Sequence, residues 1–140
     1  MKRRLKIYFD GGCRPNPGPI EVAVVAQGEA HFHDDLGSGS NTEAEWYALI
    51  KAAQLACQMG AGPVELIGDS LGVIAQANGK AKCRGDRAIE LRAAYLQLAA
   101  AIPELRLRWS ARSQNLAGIA LEGRRQFPVA EKALAKRTND

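Results

Sequence analysis

Ile7-Tyr8-Phe9-Asp10-Gly11-Gly12-Cys13-Arg14-Pro15-Asn16-Pro17-Gly18-Pro19 is the stretch on which the reading of this chain turns. Leu5, Ile7 and Phe9 alternate with Lys6, Tyr8 and Asp10, the period of a strand with one buried face. The strand is expected to end at Asp10. Gly11 and Gly12 tolerate φ > 0, and Pro15, Pro17 and Pro19 cannot continue a hydrogen-bonded ladder. A carboxylate there is aimed out of a rigid scaffold, beside a bare backbone that a polyanion can approach closely.

Outward from this point the chain alternates between strand and helix signals. Residues 21–26 read as a second strand, and Gln27-Gly28 as a turn into a third at 29–34, which makes an antiparallel meander. Residues 36–42 read as a flexible loop ending in helix N-cap chemistry. A helix is expected over 42–59, where Ala48, Leu49, Ala52, Leu55, Ala56 and Met59 fall at helical spacing, and Gly60, Gly62 and Pro63 stop it. A fourth strand at 64–67 runs into Gly68-Asp69-Ser70, followed by a short helix at 71–77, a basic turn from Gly79 to Gly85 and a longer helix at about 86–101. The fifth strand is 105–109. From Ser113 the pattern is helical, interrupted near Gly123 and restarted around Pro128. The order β-β-β-α-β-α-α-β-α predicts an α/β fold, a mixed five-stranded sheet with helices on both faces. No repeat or linker divides the chain, so a single domain over 1–140 is expected.

Composition sets limits. Nineteen Lys and Arg against fifteen Asp and Glu give a net charge of +4, which suits a polyanionic partner without requiring one. Cys13, Cys57 and Cys83 are odd in number and far apart, so neither a zinc knuckle nor a disulfide framework is indicated. Reduced thiols fit a cytoplasmic location. The basic start Met-Lys-Arg-Arg-Leu-Lys precedes an apolar run too short for a signal peptide, and no stretch is long enough to span a membrane. A monomer with no membrane association and no obligate protein partner is the expectation.

Asp10 and Asp69 each follow an apolar strand. If those strands are parallel neighbours, both carboxylates lie at the sheet edge where α/β proteins place ligands. The first helix offers Glu43 and Glu45. Glu45 continues through Leu49, Ala52 and Ala56 on the stripe facing the sheet, whereas Glu43 continues through Tyr47, Lys51 and Gln54 and suits a capping role. Three converging carboxylates without His or Cys make a hard oxygen site for Mg²⁺ or Mn²⁺, the alternative being three separate solvated acids. His31 and His33 share one face of the third strand but lack acidic partners on that edge. Trp46 and Trp109 read as core or packing residues.

Four blocks, Ile-Tyr-Phe-Asp-Gly-Gly-Cys-Arg-Pro-Asn-Pro-Gly-Pro, Ser-Asn-Thr-Glu-Ala-Glu-Trp-Tyr-Ala-Leu, Leu-Ile-Gly-Asp-Ser and Arg-Ser-Gln-Asn-Leu-Ala, resemble in order the motifs of type 1 ribonucleases H, from Arg4 to about Glu122. The resemblance implies the ribonuclease H fold and cleavage of the RNA strand of RNA–DNA hybrids, with two divalent ions held by four acidic residues. Products would carry a 5′-phosphate. Asp10, Glu45 and Asp69 match three of the four acids. The fourth position, four residues after Asn115, is Ile119, which offers no oxygen. Glu122, three residues on, is a candidate surrogate ligand or an ordinary surface residue.

For the nucleic acid, the resemblance directs attention to the Gly11-Gly12 backbone, to the amides of Asn16 and Asn41, and to Ser40 and Thr42, which match a stretch that holds a DNA-strand phosphate. Arg112 is a candidate phosphate contact, Asn115 is expected near the second ion, and Arg124, Arg125, Lys132, Lys136 and Arg137 offer further positive charge. Weak or Mn²⁺-dependent cleavage is expected. The alternative is a hybrid-binding protein that keeps the fold and has lost turnover.

Overall fold

The computed structural model describes residues 3–60 and 62–126 of the chain. Its elements run β1 (Leu5–Cys13), β2 (Gly18–Ala26), β3 (Glu29–His33), β4 (Ser38–Gly39), α1 (Asn41–Met59), β5 (Val64–Gly68), α2 (Leu71–Ala77), α3 (Asp86–Ala100), β6 (Leu105–Trp109) and α4 (Leu116–Gln126), with a 3-10 turn at Arg112–Gln114. The expected order is present with one short strand, β4, added. The sheet order is β3-β2-β1-β5-β6, with β4 paired to β2. β1 lies antiparallel to β2 and parallel to β5, which is parallel to β6.

β1 does not stop at Asp10. Its pairing with β5 ends at Tyr8↔Ile67, but its pairing with β2 continues through Asp10↔Ala23 to Cys13↔Ile20. Asp10 therefore sits mid-strand on one side and beyond the end of the parallel pair on the other. Gly11 and Gly12 are extended members of this strand, so the expected use of positive φ does not occur. Gly11 serves a close approach instead: a Cβ there would lie 2.2 Å from the Ala44 carbonyl oxygen in the first turn of α1.

The segment expected to be a flexible loop contains β4, whose Ser38 and Gly39 pair with Pro19 and Gly18 and so lengthen β2 at its start. α1 begins one residue earlier than its apolar pattern implies because Ser40 caps it. The Ser40 hydroxyl accepts from the Glu43 N–H at 3.1 Å, and the Ser40 N–H donates to the Glu43 carboxylate at 3.4 Å. Glu43 is the capping residue that its face predicts. Gly60, at φ 59°, closes the helix.

Most of the core lies on one side of the sheet, where α1, α2 and α3 bury Ile7, Phe9, Val22, Val24, Trp46, Leu49 and Leu66. α4 covers part of the other side, packing Ala117 and Leu121 on Ala23 and Val25. Helices thus occupy both faces, as expected. α4 runs through Gly123 unbroken, and the restart expected near Pro128, with Lys132, Lys136 and Arg137, lies outside the described residues. Trp46 is fully buried, whereas Trp109 is 45% exposed on edge strand β6, its indole N–H donating to the Asp69 carbonyl oxygen at 3.1 Å. Cys13, Cys57 and Cys83 are free. No helix among the described residues is long and apolar enough to cross a membrane.

The two glycines separate in consequence. A Cβ at Gly12 would meet only the far end of the Arg125 side chain at 3.3 Å and the Asn41 Oδ1 at 3.6 Å. Gly11→Ala is expected to cost about 1–3 kcal/mol in urea unfolding through overpacking, and Gly12→Ala less than about 1 kcal/mol. Equal losses would contradict this assignment.

Candidate active site

Asp10 and Asp69 lie just past the carboxyl end of the β1–β5 parallel pair, one from each chain segment. Glu45 comes from the fifth position of α1, on the buried stripe with Leu49 and Ala52, and the Gly11–Ala44 contact lets that turn sit directly on β1. One carboxylate oxygen from each of the three lies within 4.8 Å of the others.

Asn115 holds this arrangement together. Fully buried, it donates from Nδ2 to the Phe9 carbonyl oxygen and to Asp69 Oδ2, both at 3.0 Å, while its Oδ1 accepts from the Ala117 N–H at 3.1 Å. It ties β1, Asp69 and the start of α4 into one unit, and its burial leaves it no surface for the nucleic-acid contact expected of it. Gly118 brings the same helix against the acids. A Cβ there would lie 3.5 Å from Asp10 Oδ2 and 3.7 Å from Asp69 Oδ2. Spacing alone does not single out Gly118; its signal is the requirement for a small residue before the fourth acidic position.

Burial, then the neighbouring Asp10 charge, pushes the Glu45 carboxyl up to about 10 from its usual 4.5. Burial also raises Asp10, as does Asp69, against a hydrogen bond with Glu45 and the weaker pull of Arg112 and Arg125. Glu45 Oε2 is buried without a hydrogen-bond partner. The cluster is crowded with oxygen and short of positive charge. A hard divalent cation fits: the donors are all carboxylates, and the orphaned oxygen gains a partner.

The remaining candidates divide. Asn16 and Asn41 flank the cluster and also tie the 14–17 loop to α1: Asn16 Oδ1 accepts from the Asn41 N–H at 3.0 Å, and Asn41 Oδ1 from the Cys13 N–H at 2.9 Å. Ser40 is engaged as the helix cap, and Thr42 is exposed in the same turn. Arg112 is exposed on the 3-10 turn and lines a cleft of about 360 Å³ with Gly118, Ile119 and Glu122. Ile119 is 53% exposed there. Glu122 is not brought to the acids; its Oε2 lies 3.4 Å from Arg14 Nη2. Arg124, offered by the sequence as further positive charge on an exposed helix face, instead binds Asp34 at 2.7 Å and Glu21 at 3.1 Å and is nearly buried. Arg125 lies 3.6 Å from Glu21 and beside Gly12.

A mixed sheet of this order, with carboxylates from β1, α1 and β5 meeting at its edge, is the architecture of ribonuclease-H-like α/β proteins. Residues 10–121 match the family model described as reverse transcriptase-like. The chain is 41% identical over 81 residues to ribonuclease HI of Halobacterium salinarum, which covers 54% of this chain and 41% of that protein. The crystal structure of ribonuclease H1 from the same organism superposes with a TM-score of 0.78 at 30% identity, covering 85% of this chain and 94% of that one. LC11-RNase H1, in complex with an RNA/DNA hybrid, superposes at 0.72 with 28% identity, over 81% and 89% of the two chains. The chain belongs to the type 1 ribonuclease H family. It spans about two fifths of the length of the first curated relatives that it matches.

The raised carboxyl of Glu45 has a definite sign in stability. Between about pH 4.5 and about pH 10 the folded protein holds a proton that the unfolded chain would release, so metal-free stability falls as pH rises through this window. Glu45→Gln removes the charge and most of this dependence. Thermal melts in EDTA at pH 8 are expected to show the variant more stable than the parent by a few degrees, the difference shrinking at pH 5. A less stable variant at pH 8 would refute the assignment.

Proposed function

We propose that this chain hydrolyses the RNA strand of RNA–DNA hybrids with a divalent cation, Mg²⁺ or Mn²⁺, held by Asp10, Glu45 and Asp69. The observation that carries the reading is the approach of three carboxylates to within 4.8 Å in a ribonuclease H fold, one of them with an orphaned buried oxygen. LC11-RNase H1, a structural relative, carries an RNA/DNA hybrid in its complex.

A bound divalent ion supplies charge neutralisation at the phosphoryl oxygens and an acidified water. The chain supplies the rest. Asp10, Glu45 and Asp69 would hold the ion, and Asn115 fixes Asp69 through its Nδ2 bond. Arg112 and Arg125 add positive potential beside Asp10 for an incoming phosphate. The amide groups of Asn16 and Asn41, with Thr42 and the Gly12 backbone, lie where a sugar edge would be read. Products carry a 5′-phosphate and a 3′-hydroxyl.

Ile119 shapes the rate. It presents a half-exposed apolar side chain where the family places a fourth acid, and Glu122 is engaged by Arg14. A second ion would have few ligands here, so turnover is slow and favours Mn²⁺. The same observation supports the second reading, a hybrid-binding protein without turnover.

A labelled RNA–DNA duplex incubated with each metal distinguishes the two. Cleavage with Mn²⁺ exceeding that with Mg²⁺ is expected, falling at least about 100-fold in Asp10→Asn. Gel-shift binding with no cleavage under any metal would favour the second reading. Ile119→Asp is expected to raise the rate roughly 10-fold or more; an unchanged rate would show that position 119 does not limit the reaction.

A further inference from the structure

Among the described residues, the face of the sheet that carries α4 is only partly covered. Below that helix, Arg3, Arg4, Lys6, Tyr8 and Glu65 line an open cleft of about 970 Å³ that shares no residue with the acid cluster. Lys6, Glu65 and Arg106 stand in register across β1, β5 and β6. Glu65 is nearly buried and is held by Arg108 at 2.8 Å, with Arg106 at 3.9 Å. Arg4 donates to the carbonyl oxygens of Val64 and Glu104, which position its guanidinium without neutralising it. Arg3, Arg4 and Lys6 thus line the cleft against Glu65, whose charge Arg108 and Arg106 already answer from β6. Half-buried Tyr8 provides an aromatic floor.

We propose that this cleft is a second nucleic-acid site that takes a single-stranded segment through its phosphate backbone. The charge selects a polyanion. An aromatic surface within a basic channel serves unstacked bases, which a duplex does not present. Lys6 and Asp10 lie on one face of β1, four residues and roughly 13 Å apart, with α4 crossing between them over Tyr8, so a strand leaving the catalytic edge reaches the cleft by passing beside that helix. Such a site retains the enzyme on hybrids that carry single-stranded flanks and adds little on blunt ones.

The site does not depend on cleavage, and its test is run without it. A fluorescein-labelled dT12 is titrated with the full chain in EDTA, by anisotropy, from about 50 to 200 mM salt. Lys6→Ala/Arg106→Ala, both at exposed positions, is expected to bind at least tenfold more weakly. The slope of log K against log salt should fall by about 1.4, near 0.7 for each phosphate that is no longer neutralised. Hydrolysis of a blunt hybrid should be unchanged in this variant. Equal affinity and slope in the two proteins overturns the proposal. So does binding of phosphatidylserine vesicles without binding of dT12. Loss of dT12 binding in the variant, with no hybrid cleavage by either protein, would leave this site standing and count against the nuclease reading alone.

Discussion

The close approach of α1 to β1 at Gly11 is the contact on which the site rests. The helix backbone at Ala44 occupies the place that a side chain at residue 11 would need. With that place empty, the first turns of α1 lie on the strand and Glu45 is delivered beside Asp10. Burial and the nearby Asp10 charge disfavour ionising Glu45, and without a cation it keeps its proton. Trp46, Ala48, Leu49 and Ala52 hold the helix down because their side chains are fully removed from water; burial of a side chain the size of Leu49 contributes roughly 1.5–3 kcal/mol and each alanine methyl less. Packing therefore holds together acids that would ionise together only beside a cation such as the proposed divalent ion.

Asn115 extends this logic to the third acid. Its amide spans the Phe9 carbonyl, the Asp69 carboxylate and the first turn of α4, so β1, β5 and α4 meet through one buried side chain. At Gly118, α4 then passes over Asp10 and Asp69 at a distance where a Cβ would make ordinary contact with both. The geometry that would support a fourth ligand is intact, yet the next residue is Ile119. What has changed is charge rather than shape. Three acids face Arg112 and Arg125, where a fourth acid would have offset one of those cations. On the proposed function, that balance would weaken the hold on a second divalent ion while leaving a phosphate with positive partners.

Local pattern exposes the acids and misses what depends on distant partners. Glu45 is separable from Glu43 because helical spacing alone assigns their faces, and the Ser40–Glu43 capping box explains the other acid fully. Asp10 and Asp69 are legible from apolar runs ending in polar turns. The continuation of β1 through Cys13 is not, since it depends on β2 supplying a ladder on one side after β5 has ended on the other. β4 is two residues long and carries no period. Trp109 sits on the core-facing side of β6, but alternation reports a face and not whether an edge strand's end is covered. Glu122 lies three residues beyond the fourth acidic position, as a surrogate ligand requires, and is drawn away by Arg14, 108 positions earlier.

The unequal covering of the sheet connects the two ends of the molecule. Three helices bury one face, so most of its residues on β1, β2 and β5 are apolar. Among the described residues, α4 packs on the other face mainly over β1 and β2, with Arg124 reaching Phe32 of β3. Strands β5 and β6 consequently continue into a region where Glu65, Arg106 and Arg108 form ion pairs in place of an apolar layer. A buried carboxylate with two arginines is costly to desolvate and little favoured over apolar packing as a source of stability. Its presence next to Lys6, Arg3 and Arg4 is better accounted for by what the arginines present to solvent. Glu65 aligns Arg108 and, more loosely, Arg106 along the strand, converting flexible side chains into a fixed row of positive charge on the same face that carries Asp10.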